Sequence, residues 1–197
     1  MSLSSILSKL FLSDFLDSIF LKNKEICIIS NNCWGFRLYN ILNKKYNTPF
    51  VGLFIKPNDF LFILNNLDLF INDDLKMSDF KESHLYPIAN FHNCEIHFLH
   101  YHSINECIEK WNRRKGRLKN YIDKFGIENI IIKLCDRDGD IENIIPLINR
   151  LPYKKKIFFS KTKCFFLQKN GVLIDGNTLF NLRFFYYRKY LKIFNHL

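Results

Sequence analysis

Three short polar clusters hold most of the residues in this chain that could do chemistry. They are Ser30-Asn31-Asn32-Cys33, His100-Tyr101-His102-Ser103 and Asp136-Arg137-Asp138-Gly139. Cys33 is the natural nucleophile. It falls between a predicted strand end and a predicted helix start, where unpaired N–H groups and the helix dipole favour a thiolate. Asn32, with Asn31 beside it, could donate to a developing oxyanion, and His100 could act as the base. The candidate catalytic set is therefore Cys33, His100 and Asn32. The competing reading is a Cys beside a tight turn, an Asn that caps the helix, and a rim histidine with ordinary partners.

Asp136-x-Asp138 at a strand end could hold a divalent cation against a diphosphate, although two aspartates before a glycine also make a common turn. His97, His100 and His102 do not form a zinc set. Strand alternation places His97 on the opposite face from the other two, and no Cys or carboxylate spacing completes four ligands. No metal site is expected. The sequence contains no G-x-G-x-x-G or Walker loop, so a bound nucleotide would have to be gripped by side chains. The cofactor is left unassigned.

The stretch Glu95–Arg117 organises these groups. Ile96, Phe98 and His100 alternate with His97, Leu99 and Tyr101 as in a strand, and Ser103-x-x-Glu106 is a capping box that opens a helix. Past the cap, Cys107, Trp111, Leu118, Ile122 and Phe125 share one arc of a 3.6-residue wheel, and Lys110, Arg113, Arg114 and Arg117 share the next. Such a row of cations suits a phosphate, a carboxylate or a polyanion, and it also suits a solvated helix face.

The remaining elements follow from hydrophobic pattern. Residues 4–21 form an amphipathic helix, with Ile6, Leu7, Leu10, Phe11, Leu16 and Ile19 on one face. Buried strands are expected at 25–30, 50–55, 127–134 and 156–160, and a further strand at 86–91. Helices are expected at 34–45, 57–70 (Asp59 as cap) and 141–149. Lys169-Asn170-Gly171 is a hairpin turn between 165–168 and 172–174, and 178–197 closes as a basic aromatic helix. Apolar strands alternating with helices predict a single α/β domain over 1–197. Its largely parallel sheet is flanked by helices and followed by a C-terminal β-hairpin and helix. In such sheets ligands bind beyond the carboxyl ends of the strands, so the three polar clusters are expected on one rim.

The totals narrow the class. With 197 residues, 48% of them hydrophobic and 21 of them Phe, the chain can bury a substantial core. Its net charge of +10 permits nucleic acid, an anionic leaflet or phosphorylated small molecules as partners. Residues 183–194 interleave aromatic and basic side chains, but no nucleic-acid recognition motif is present, and nucleic acid is not an expected partner. No apolar run is long enough to span a bilayer, and the N-terminus lacks a basic region before its apolar stretch. Six cysteines show no C-x-x-C pair, so a reducing cytoplasm is expected rather than a disulfide framework.

Six blocks occur in order: SNNCWG (30–35), TPFVGLFI (48–55), YPIANFHNCEIHFLHY (86–101), ECIEKWNRRKGRL (106–118), CDRDG (135–139) and LPYKKKIFF (151–159). Together they resemble a bacterial exopolysaccharide (capsule) biosynthesis family whose domain is catalogued as of unknown function. The resemblance covers about 25–160, flanked by the 1–24 helix and a 161–197 extension. Positions that match its motifs are Asn31, Asn32, Cys33, Trp34, Gly35, Glu95, His97, His100, Tyr101, Glu106, Lys110, Trp111, Arg113, Arg114, Arg117, Asp136 and Arg137. Phe36 stands where the motif usually has a second glycine, and Cys94 where it has an acid.

The resemblance implies a sugar, nucleotide-sugar or lipid-linked glycan as partner, and a transferase that modifies or extends a surface glycan. The alternative is a non-catalytic partner of a membrane-bound assembly complex. Asn31, Trp34, Tyr101, Lys110, Arg113, Arg114, Arg117, Asp136 and Arg137 are the expected substrate-binding positions. The expected location is the cytoplasm, with peripheral contact at the inner face of the membrane.

Overall fold

The predicted strands separate into two sheets. The computed structural model describes residues 14–78, 85–159 and 171–174. Strands β1 (Ile28–Ser30), β5 (Ile131–Cys135), β6 (Lys155–Phe159) and β7 (Gly171–Ile174) pair in parallel, in the order β1-β5-β6-β7. Strands β2 (Phe54–Ile55), β3 (Ile88–Phe91) and β4 (Cys94–His97) form a small antiparallel sheet in the order β2-β4-β3. The architecture is α/β with a mainly parallel sheet.

Both faces of the parallel sheet are covered, which is why β1, β5 and β6 are buried along their length and mostly apolar, with Ser30, Lys133, Lys155 and Lys156 as the polar exceptions. Along β5 the side chains alternate. Ile132 and Leu134 join the larger core with Trp111, Phe98 and Phe60, whereas Ile131 and Cys135 join Trp34, Leu38 and Tyr39 on the other face. Helix α5 (Ile104–Phe125) serves the first face and α2 (Phe36–Ile41) the second. A helix over residues 14–21 (α1) turns Asp17 and Leu21 inward and leaves Phe15, Ile19 and Phe20 exposed. Ile19 belongs to the apolar face read from the sequence and is exposed here. It lies on the opposite side of this helix from Leu21.

Several elements differ from the pattern reading for local reasons. Residues 50–55 are not a strand of the parallel sheet. Pro49 and Gly52 (φ 73°) bend this segment, and only Phe54 and Ile55 pair, with β4. The strand before His100 stops at His97, and Phe98–Tyr101 closes as a turn through Tyr101 N–H to Phe98 O at 3.1 Å. Helix 34–45 shrinks to Phe36–Ile41 because Gly35 (φ 93°) and Asn43 (φ 50°) bound it.

Helix 57–70 breaks at Asn66 into α3 (Pro57–Asn65) and α4 (Leu67–Asn72). Asp59 does not cap α3. Its carboxylate accepts from Glu95 N–H at 3.1 Å, tying the helix to β4. Strand 127–134 begins later, because Ile127–Asn129 is a 3-10 turn, and α6 (Ile145–Asn149) starts only at the turn that carries Pro146.

β3 and β4 form a hairpin whose two loop residues, His92 and Asn93, both have positive φ (51° and 63°). This is the primed turn that matches strand twist, and Asn is one of the residues that tolerates it. Gly171 opens β7 and pairs with Lys156 rather than sitting in a turn. The other hairpin arm at 165–168, the helix at 178–197, Cys164 and most of the 4–21 helix lie outside the described residues. Among the described residues no helix is long and apolar enough to cross a membrane.

Helix α5 follows its pattern closely. Ser103 Oγ accepts from Glu106 N–H at 3.2 Å, and Cys107, Trp111, Leu118 and Tyr121 are buried. The return half of the box is shifted by one residue: Glu106 Oε2 accepts from His102 N–H at 2.8 Å. This bond, with the Lys110 ion pair second, holds the Glu106 carboxyl below the usual range.

Candidate functional site

The two sheets meet where β1 ends. Ile55 N–H donates to Asn31 O at 2.9 Å, which hangs the antiparallel sheet from the carboxyl end of the parallel one. That junction sets the 48–53 segment between Cys33 on one side and the His100–Tyr101 turn on the other. Gly52 permits the approach. A Cβ built on it would lie 3.3 Å from His100 Cβ and 3.4 Å from the Tyr101 ring, at a φ that disfavours any L side chain. Gly52→Ala is therefore expected to destabilise the fold by about 1–3 kcal/mol, measurable as a lower urea midpoint at unchanged slope.

Cys33 Sγ lies 3.1 Å from His100 Nε2 and 3.7 Å from Leu53 O. The thiol has one proton and two acceptors within reach, an imidazole and a carbonyl. Cys33 is half-buried and His100 is exposed, so the pair sits at the surface of a cleft rather than in the core. Cys33 is three residues ahead of a six-residue helix, so the helix dipole invoked from sequence has little length behind it. The imidazole is the nearer influence.

Asn31 and Asn32 are buried beneath this pair and are held by a residue that the sequence reading passed over. Lys133, fully buried on β5, places Nζ 2.5 Å from Asn32 Oδ1 and 3.3 Å from Asn31 Oδ1, and 5.6 Å from the centre of the Phe159 ring. An ammonium only donates, so both amides must turn their oxygens toward it. Asn31 Nδ2 then donates to Cys135 O at 3.5 Å, and Asn32 Oδ1 also accepts from Trp34 N–H at 3.3 Å. The signal for Lys133 was present in IENIIIKL, where one cation stands in an otherwise apolar strand. It reads as an edge or end residue until the strand is known to be central.

Beside His100 opens a cleft of about 290 Å³. Among the described residues it is lined by Phe36, Tyr46, Val51, Gly52, His100, Tyr101, Lys110 and Arg114. Tyr101 is pinned at its base. Its hydroxyl donates to Val51 O at 2.7 Å and accepts from Arg114 Nη1 at 2.5 Å. Burial pushes this phenol up to about 12, although Arg114 acts against the rise.

The cation row of α5 does not act as a unit. Lys110 and Arg114, four residues apart, line the cleft; Lys110 also pairs with Glu106. Arg117 donates to Tyr46 O at 3.0 Å and so holds one wall of the cleft. Arg113 points outward to Glu109 at 2.7 Å. Trp34 packs against Phe159, with ring centres 5.6 Å apart, in the smaller core. Asp136 and Arg137 follow β5 in a 3-10 turn, where Arg137 N–H donates to Cys135 Sγ at 3.3 Å. That turn adjoins Asn31 through Cys135 but does not line the cleft.

His97 faces Glu95, with Nε2 2.6 Å from Oε1, and Glu95 also meets Lys56 at 3.1 Å. The Lys56 contact, ahead of His97, holds the Glu95 carboxyl below its usual range. Among the described residues no three His, Cys, Asp or Glu side chains are grouped as they would be around a metal ion.

Residues 8–177 match the model of a family described as a domain of unknown function, DUF1919. The chain is also similar to an uncharacterized protein of Haemophilus influenzae, 38% identical over 140 residues. That match takes in 71% of this chain and 64% of the relative, so the chain matches less than two thirds of the relative's length.

Proposed function

The chain belongs to the DUF1919 family, and from that premise we propose that it is a group-transfer enzyme of surface-glycan (exopolysaccharide or capsule) assembly. The observation that carries the enzyme reading is the 3.1 Å contact between Cys33 Sγ and His100 Nε2 at the edge of a cleft with a cationic wall. The glycan part rests on the six sequence blocks and the resemblance they carry.

A thiol–imidazole pair suits acyl transfer best. His100 takes the Cys33 proton, and the thiolate attacks the carbonyl of an activated acyl donor. The leaving group departs with the bond electrons and receives the proton from His100. A sugar hydroxyl then attacks the thioester as His100 takes its proton. The thiolate leaves and recovers that proton, so Cys33 ends as it began. Lys133 keeps the Asn31–Asn32 corner in one orientation beneath the pair.

The test is acid-quenched intact-mass spectrometry after incubation with a panel of acyl thioesters and nucleotide sugars. Wild type is expected to gain one adduct, on Cys33, and both Cys33→Ala and His100→Ala are expected to gain none. An unmodified wild-type protein with every donor, together with an unchanged cell-surface glycan in both variants, would remove the proposal.

A second reading, a non-catalytic partner docked at the inner face of the membrane, is favoured by the exposure of Phe15, Ile19 and Phe20 on α1 together with a net charge of +10. Salt-sensitive binding to anionic vesicles with no adduct would select it.

A further inference from the structure

Arg114 is only 7% exposed, yet among the described residues it has no carboxylate partner. Its one hydrogen bond is to the Tyr101 hydroxyl, and its guanidinium lies 4.9 Å from the Tyr46 ring centre and 5.9 Å from that of Tyr101. A guanidinium has five N–H donors, and a buried charge is ordinarily paired. The two rings offset part of the desolvation cost but supply no acceptor. Arg114 faces the cleft, so the missing acceptor belongs there.

The rest of the lining says what kind of anion. Lys110 adds a second cation, and among the described residues no Asp or Glu lines the cleft; Glu106 pairs with Lys110 from outside it. A phosphate monoester carries about −1.5 to −2 charges near neutral pH and three acceptor oxygens. Lys110 is already paired with Glu106, so the preference for phosphate rests on its three acceptor oxygens, which can meet Arg114 and Lys110 at once. Phe36, Tyr46 and Val51 give the same cleft apolar walls. Its volume lies at the small end of the about 300–1,000 Å³ usual for ligand sites, enough for one ring and its phosphate.

We infer that the cleft is a site for a sugar phosphate, its phosphoryl group held by Arg114 and Lys110 and its ring against Phe36 and Tyr46. The binding claim stands apart from catalysis. That the ring is a sugar, and that it is the acceptor with a hydroxyl turned toward His100, rests on the glycan-transfer reading above.

Isothermal titration with a hexose 1-phosphate, inorganic phosphate and a hexuronic acid tests it. The hexose 1-phosphate is expected to bind more tightly than either of the others. Arg114→Met, which keeps an apolar stem against Tyr46, should weaken it at least about tenfold, and Lys110→Gln at least about threefold. Cys33→Ala should leave the affinity within about twofold. Lys110 is half-exposed, so its variant keeps the test open if Arg114→Met does not fold.

Absence of hexose 1-phosphate binding to wild type, tighter binding of the hexuronic acid, or wild-type affinity in the Lys110 and Arg114 variants would each overturn the assignment. Equal affinity for inorganic phosphate would overturn the ring contact. Binding as expected without any Cys33 adduct would uphold the site and sink the transfer reading instead.

Discussion

Iodoacetamide at pH 8 is expected to modify Cys33 before any other cysteine among the described residues, and to do so at least about fivefold more slowly in His100→Ala. Burial sets the contrast. It pushes the Cys94 thiol up to about 11 and Cys107 up to about 12, and it pushes Cys27 further still. Cys135 is wholly buried as well. Only the thiolate alkylates, so at pH 8 Cys27, Cys94 and Cys107 offer almost none, and Cys135 is out of the reagent's reach. Cys33 is half-buried, with an imidazole 3.1 Å away that can accept its proton.

Peptide mapping by mass spectrometry reads the order of labelling, and a parallel reaction in 6 M guanidinium should erase the differences. If Cys33 labels no faster than Cys94 in the native protein, or if His100→Ala labels as fast as wild type, the pair has no chemical consequence. The enzyme reading would then lose its main support.

Trp111→Ala is expected to cost about 3–5 kcal/mol, a drop in melting temperature of roughly 10 °C for a chain of this length. Trp111 is 1% exposed, and its ring meets Phe50 at 5.5 Å, Phe91 at 6.1 Å and Phe98 at 6.2 Å between centres. Those partners come from the segment before β2, from β3 and from the turn after β4. One side chain of α5 thus joins the antiparallel sheet to the helix that carries the cleft cations.

Trp111→Phe should cost far less. It keeps most of the ring contacts and removes an indole N–H that has no acceptor among the described residues. Urea unfolding of the three proteins separates these outcomes. A loss below about 1 kcal/mol in Trp111→Ala would mean that the neighbouring rings close over the space.

Both results bear on how the cleft is held. Its His100–Tyr101 wall hangs from the antiparallel sheet, its Lys110–Arg114 wall belongs to α5, and Gly52 lets the 50–53 segment close against the first of these. Gly52 therefore acts on the geometry of the Cys33–His100 pair by direct contact with His100, and Trp111 acts on it through the packing beneath.

Local order accounts for what the sequence determined by itself. The cap at Ser103, the buried arc of Cys107, Trp111 and Leu118, and the adjacent row of cations need only a 3.6-residue period and one short-range hydrogen bond. Mostly apolar runs within 28–30, 131–135 and 157–159 announce strands covered on both faces, which is the signature of a parallel sheet. The Cys33 and His100 corners were also visible as polar breaks after such runs.

Tertiary structure decided the rest, because each remaining feature depends on partners distant in the chain. Residues 50–55 look as apolar as the parallel strands, and only pairing with β4 sends Phe54 and Ile55 to a separate antiparallel sheet. Lys133 meets Asn31 and Asn32 across about a hundred residues, a contact no local period encodes. In the same way the four cations of α5 are equivalent on a wheel. What surrounds them is not: Tyr46 and Tyr101 bury Arg114 while Glu109 draws Arg113 outward, and that difference sets one guanidinium in the cleft wall and leaves the other at the surface.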